Sequence, residues 1–255
     1  MTAPLELRDI VVRRGGQTVL DGVSLTAQPG ELVGIVGPNG AGKTTLIRAA
    51  LGLQPIAGGQ ARLGGEDVGR LSPQALARRA GYLPQERRLA WNVTALAAAS
   101  LGAMSQPAPK AEQRAADALA RVGLSHLARR GVFDMSGGER ARVVLARLLA
   151  GKAPLLLADE LTAGLDPDAQ LLAVELMRAE AAAGAAVVLT LHDLSLAARA
   201  CDRIAVLSGG RLVAEGPPRE ALTPIVLAEV FGLEGQLLET AAGLVLAARR
   251  KGAAA

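Results

Sequence analysis

This sequence predicts an α/β fold, with a parallel sheet covered by helices on both faces, and three observations carry that expectation. Glu31–Val36, Leu155–Ala158 and Ala186–Leu191 are short apolar runs without polar alternation, as expected of strands buried on both sides. Helical patterns such as Asp168–Ala183 lie between such runs, so neighbouring strands are joined by crossovers. The first run ends in a glycine-rich turn, and ligands of such sheets sit at the C-terminal ends of strands.

Taken in order, Leu5–Arg13 and Thr18–Leu25 read as extended segments around a Gly15-Gly16 turn, an antiparallel element preceding the sheet. A helix follows the glycine-rich turn, from Gly42 or Lys43 to about Leu51. From about residue 86 to 150 the character changes. Alanine-rich helical patterns (Val93–Ala103, Ala111–Val122, Ala141–Ala150) surround a break at Pro107 and Pro109, and this reads as a helical insertion. Beyond the last apolar runs, Arg203–Glu215 and Gly243–Ala248 read as short strands, with Pro224–Phe231 helical between them. No repeat of 20–50 residues is present, and residues 1–255 are expected to form a single domain.

Composition narrows the function. Of 255 residues, half are hydrophobic and a fifth charged, enough for a large core. One cysteine, Cys201, excludes an internal disulfide, and two histidines, His126 and His192, exclude a histidine-rich metal centre. His126 is expected on the surface and Cys201 in packing. The start MTAPLELRD has no signal-peptide pattern. The uncharged run Leu89–Pro109 is alanine-rich and interrupted by polar residues, so a soluble chain is expected. The net charge of +4 and the pI near 9.8 invite a nucleic-acid reading. Yet the 24 Arg and 4 Lys are spread along the chain, and few aromatics could stack on bases, so no nucleic-acid partner is expected.

The chemistry begins at GPNGAGKT, Gly37–Thr44, which fits G-x-x-x-x-G-K-[ST] between a strand and a helix. Glycines let backbone N–H groups converge on phosphate oxygens, and the helix start adds partial positive charge. Lys43 would neutralise the β- and γ-phosphates, and Thr44 would offer a hydroxyl to Mg²⁺. LLLADE, Leu155–Glu160, places Asp159 and Glu160 at the end of a buried strand. There Asp159 would hold magnesium through water, and Glu160 would polarise an attacking water. MSGGER, Met135–Arg140, places Ser136 as an N-cap with Gly137 and Gly138 behind it.

In this order, with GLD (Gly164–Asp166) and His192 following, the motifs resemble those of an ATP-binding cassette (ABC) ATPase over nearly the whole chain. The resemblance implies a P-loop NTPase core with an N-terminal antiparallel β subdomain and an inserted helical subdomain, using ATP and Mg²⁺. It implies a phosphate cradle from Gly37, Pro38, Asn39, Gly40, Ala41, Gly42, Lys43, Thr44 and Thr45. A second subunit, paired head to tail in an ATP-dependent homodimer, would cover the nucleotide with Ser136, Gly137, Gly138 and Glu139. Gln85 would sense γ-phosphate, contribute to the metal site and contact a membrane partner; His192 would contact γ-phosphate, and Asp166 would lie at the dimer interface.

Three positions depart from the family pattern. Arg14 stands where an aromatic usually stacks on adenine, and a guanidinium plane can also stack on a base. Leu161 replaces the proline after the acidic pair, and Met135 replaces the leucine that opens the signature. The residues for hydrolysis are intact, so a competent ATPase is expected.

The chain has one copy of each motif and no heptad run, which favours an importer subunit over the cassette proteins of DNA repair or translation. Segments LTLHDLSLAARACDRIAVLSGGRLVAEGPP and ALTPIVLAEVFG are similar to ATPases serving iron-siderophore, haem and cobalamin uptake. The resemblance then implies an integral membrane permease dimer, a periplasmic or surface binding protein, and a place on the cytoplasmic face of the cell membrane. The stretch Leu101–Pro109 lacks the charged LGR-x-P pattern of that group. An ABC transporter subunit for an unrelated substrate is the other reading.

Overall fold

The N-terminal segments form a hairpin, β1 (Leu5–Arg14) and β2 (Gln17–Ala27), in a computed structural model that describes residues 2–86 and 89–252. Along β1, Leu5 and Leu7 face inward, and then the register slips near Asp9, whose φ is +46°. That slip lets Ile10 and Val12 face inward as well, because the side-chain period of a strand is two. Strand β3 (Leu32–Val36) is buried throughout and feeds α1 (Lys43–Ala50) through the glycine-rich turn. Two strands not anticipated from sequence follow, β4 (Gly58–Leu63) and β5 (Glu66–Asp67), and with the hairpin they make an antiparallel sheet of order β2-β1-β4-β5.

Helix α2 (Pro73–Arg79), capped by Ser72, leads into β6 (Ala80–Leu83). The helical insertion comprises α3 (Ala95–Ser100), α4 (Ala108–Arg121) and α5 (Gly137–Ala150). Residues 87 and 88, within the span expected for it, lie outside the described residues. The helices are interrupted where Pro107 and Pro109 stand: Pro107 is the N-cap of α4 and Pro109 lies in its first turn, where proline's fixed φ and missing N–H are tolerated. Helix α5 begins four residues before Ala141, because a capping box between Ser136 and Glu139 nucleates it despite two glycines in its first turn.

Strand β7 (Leu155–Ala158), α6 (Pro167–Ala182), β8 (Ala186–Thr190) and α7 (Leu194–Ala200) complete the crossovers, and β9 (Arg203–Ser208) and β10 (Arg211–Gly216) close the edge. The main sheet has the order β10-β9-β3-β8-β7-β6, parallel except for the β9–β10 pair. Short helices α8 (Pro218–Ala221) and α9 (Pro224–Val230) precede a separate hairpin of β11 (Leu233–Thr240) and β12 (Gly243–Arg250).

Alternate residues of each central strand feed two cores. Val33, Ile35, Leu155, Leu157, Val188 and Leu207 join α1 and the antiparallel sheet. Leu32, Val36, Leu156, Val187, Leu189 and Val206 join α5, α6, α7 and the helical insertion. Cys201 is buried against Gly34, and burial pushes its thiol up to about 12, so it stays a packed, protonated thiol. His126 is exposed in a short 3-10 turn, Ser125–Leu127. Among the described residues no helix is long and apolar enough to cross a membrane.

Candidate functional site

The loop after β3 wraps so closely that one glycine is forced by space. A Cβ at Gly37 would lie 2.1 Å from the Leu207 carbonyl oxygen at the end of β9. Lys43 opens α1 and folds back into this loop, where its Nζ donates to the carbonyl oxygens of Gly37 at 2.7 Å and Pro38 at 3.1 Å. Only 7% of Lys43 is exposed. Burial lowers the ammonium's pKa, while the nearby carboxylates of Glu160 and Asp159 act in the opposite sense. The N-cap of α1, Gly42, makes no side-chain cap, so no side chain there competes with an anion for the first-turn N–H groups.

On the neighbouring strands, β7 delivers the acidic pair. The Asp159 N–H donates to the Leu83 carbonyl at 2.8 Å, tying the end of β7 to the end of β6, two residues before Gln85. Thr190, the last residue of β8, holds both acidic residues. Its hydroxyl donates to Asp159 Oδ1 at 2.8 Å and accepts the Glu160 N–H at 2.6 Å. Glu160 has φ +51°, a left-handed conformation costing a non-glycine residue on the order of 1 kcal/mol or more. The Thr190 contact helps to hold that backbone and turns the carboxylate toward β8, where His192 Nε2 lies 2.9 Å from Glu160 Oε1.

These elements enclose a cavity of about 330 Å³ lined by Val19, Asn39, Gly40, Ala41, Gly42, Lys43, Thr44, Thr45, Gln85, Glu160 and His192. The fold thus brings together, from four separate segments, most of the residues expected to act on a phosphate ester. Asp159, next in sequence to the cavity-lining Glu160, is fully buried, and its Oδ2 has no hydrogen-bond partner. A buried carboxylate oxygen without a donor is costly in an otherwise apolar strand end and suits a cation or its water shell.

Sequence reasoning did not single out Thr190 or Val19. A hydroxyl closing the otherwise apolar run Ala186–Leu191 was the available signal for Thr190. Val19 carried none, since its place on the rim depends on how the hairpin crosses the loop.

Other expected residues lie outside this cavity. Arg14 is exposed at the hairpin end, opposite Gln17. Ser136 caps α5, accepting the Glu139 N–H at 3.2 Å and donating its own N–H to Glu139 Oε2 at 2.7 Å. The Ser136 N–H, and after it the Ser136 hydroxyl, hydrogen-bond the Glu139 carboxylate and hold it below its ordinary range. Gly137 and Gly138 face open space, with no atom within 4 Å of an added Cβ. Asp166 is the exposed N-cap of α6, accepting the Ala169 N–H at 2.9 Å. Leu161 and Met135 are both buried in the core, so each departure from the family pattern is accommodated as an apolar side chain.

A family model described as ABC transporter matches residues 20–163. Among curated proteins, the chain is similar to the hemin import ATP-binding protein HmuV of Roseobacter denitrificans. They are 42% identical over 236 residues, 89% of this chain and 90% of that protein. The protein of the same name from Streptomyces coelicolor is 45% identical over 224 residues, 86% of this chain and 80% of that one. Among solved structures, the ATP-binding subunit of an ABC transporter superposes with a TM-score of 0.77 at 30% identity, covering 84% of this chain and 89% of that one. The dimeric cassette MJ0796, in a post-hydrolysis state bound to ADP and Pi, superposes with a TM-score of 0.76 at 26% identity, covering 84% of this chain and 99% of that one.

Proposed function

This chain belongs to the ABC transporter family and is an ATPase subunit of an importer, and from that premise we propose how its residues divide the work. Residues 1–255 act as one cassette with its helical subdomain inserted at about 86–150. Lys43 exchanges its contacts with the Gly37 and Pro38 carbonyls for the β- and γ-phosphates of ATP. The backbone from Gly37 to Thr45 holds the remaining phosphate oxygens. Thr44, Gln85 and Asp159 would hold Mg²⁺, which when bound neutralises charge on the phosphates. Glu160 accepts a proton from the attacking water, and His192, now beside Glu160, contacts the γ-phosphate and keeps that carboxylate oriented. Arg14 stacks on adenine from outside the phosphate cavity.

What supports this reading above all is the division of the motif residues. Lys43, Gln85, Glu160 and His192 line one cavity in one chain, while Ser136, Gly137, Gly138, Glu139 and Asp166 lie outside it. A second copy, placed head to tail, supplies the second set and closes the site around ATP.

The same ATPase drives import of haem or a chemically related iron chelate or corrinoid. Supporting this are the relatives named for hemin import, at 42% and 45% identity over most of the chain. A permease dimer carries the cargo, fed by a periplasmic or surface binding protein, with the cassette bound at the cytoplasmic face of the cell membrane. The permease docks beyond Gln85 on an apolar groove of about 560 Å³ that includes Leu96, Leu101 and Met104. Leu101 is 46% and Met104 74% exposed there, more apolar surface than a helix end needs for its own packing.

A deletion strain without a redundant cassette should lose growth on haem as the limiting iron source. The wild-type chain should restore it and Glu160→Gln should not. Normal uptake of haem, siderophore-bound iron and cobalamin in that strain would reject this cargo class.

A further inference from the structure

We propose that Asn92 is a positioning residue that latches the segment following Gln85 to the turn presenting Ser136, an inference that rests on the two-chain site proposed above. Asn92 Oδ1 accepts the Phe133 N–H at 3.0 Å, bridging 41 positions of sequence. Around it the two segments are zipped by backbone. Val132 N–H donates to the Val93 carbonyl at 2.9 Å, Ala95 N–H to the Arg130 carbonyl at 3.0 Å, and Thr94 lies in an antiparallel bridge opposite Gly131. Backbone pairing between them reaches Val132; the Asn92 carboxamide carries the ribbon one residue nearer to Ser136.

Gly131 gives independent support. Its φ of −65° and ψ of 136° are ordinary for any residue, so conformation does not require glycine there. A Cβ there would lie 2.7 Å from Asn92 Oδ1 and 2.8 Å from Asp134 Oδ2, so a methyl group would displace those side-chain ends. The glycine leaves room for the carboxamide to reach Phe133. Three residues beyond Phe133, Ser136 begins α5 and the surface that would meet a second chain's nucleotide. Seven residues before Asn92, Gln85 lines the phosphate cavity. The latch therefore fixes the turn leading to Ser136 against the segment from Asn92 to Ala95.

Asn92 is exposed, so losing one hydrogen bond there affects the position of the turn more than the survival of the fold. The test uses the full chain carrying Glu160→Gln, with dimerisation in ATP followed by sedimentation. Adding Asn92→Ala should weaken ATP-dependent dimerisation severalfold, because a turn freed in the monomer must be ordered again on pairing. The melting temperature and the monomer's affinity for a fluorescent ATP analogue should stay unchanged. Gly131→Ala should give the same loss by displacing the carboxamide, and the double variant should lose no more than either single one. Undiminished dimerisation in both single variants, losses that multiply in the double variant, or a parallel loss of monomer nucleotide affinity would overturn the latch. A Glu160→Gln parent that binds ATP yet stays monomeric would overturn the two-chain site itself, and the latch with it.

Discussion

The phosphate loop and the signature turn are both glycine-rich starts of helices, yet they are built in opposite ways. At the phosphate loop, Gly37 is wedged against the Leu207 carbonyl, Lys43 is buried, and α1 begins without a side-chain cap. At the signature, α5 carries a complete capping box, and Gly137 and Gly138 look into open space. In the first region the fold itself demands glycine at 37, and the helix that follows starts without a side-chain cap. In the second a side-chain box holds the N–H groups of Ser136 and Glu139, and among the described residues no packing neighbour demands a small residue at 137 or 138. The difference teaches that the first glycine turn is held by the protein's own core, whereas the second is held by a local cap and leaves its glycines open to solvent.

The largest effect should come from the first region. Glu160→Gln keeps the size and polarity of the side chain but removes its basicity, so turnover should fall by roughly 10²–10⁴ while ATP binding persists. Single-turnover hydrolysis beside a nucleotide-binding titration separates the two, and unaltered hydrolysis would remove Glu160 from its proposed role. The next tests the second region. Gly137→Val has room in the isolated chain, so thermal stability should stay within about 0.5 kcal/mol of wild type. Overpacking an interface costs about 1–3 kcal/mol, so ATP-dependent dimerisation should weaken by roughly five- to 150-fold. Sedimentation with ATP reads this, and full dimerisation would break the comparison.

A third substitution probes the support beneath the pocket. Thr190→Val deletes the hydroxyl between Asp159 and Glu160 while nearly keeping its volume, leaving buried groups short of a partner. Chemical denaturation should show a loss of about 1–3 kcal/mol, accompanied by slower hydrolysis. The smallest effect belongs to the rim. Arg14→Ala should raise the KM for ATP severalfold, on the order of 1 kcal/mol of lost stacking, and Arg14→Tyr should restore it. An unchanged KM would move adenine recognition to another part of the rim, toward Val19.

The elements legible in advance were those whose local signal agrees with their environment. β3, β7 and β8 are uninterrupted apolar runs, and α6 is long with a proline in its first turn. The missed ones are made by their neighbours. In β4, GGQARL shows little strand character, and antiparallel pairing to β1 is what extends it. β6 has four residues and depends on parallel pairing with β7, while β11 mixes charged and apolar positions and is paired by β12. Ser136 is legible as an N-cap, but that α5 is already helical at Gly137, ahead of the pattern from Ala141, depends on the Ser136–Glu139 box overriding the low helix propensity of glycine.

By itself the sequence determined the kinds of chemistry present. Spacing alone made Gly37–Thr44 a phosphate loop between strand and helix, and the apolar run before Asp159 and Glu160 placed two carboxylates at a strand end. Such features are local, set by backbone geometry over a few residues. Only the tertiary structure decided which of them meet. It set Glu160 at φ +51° against Thr190, brought His192 to 2.9 Å from that carboxylate, aligned Gln85 through the pairing of β6 with β7, and left Ser136–Gly138 outside the cavity. Those relations depend on strand order and crossover, which join residues tens of positions apart, and no local pattern encodes the distance between them.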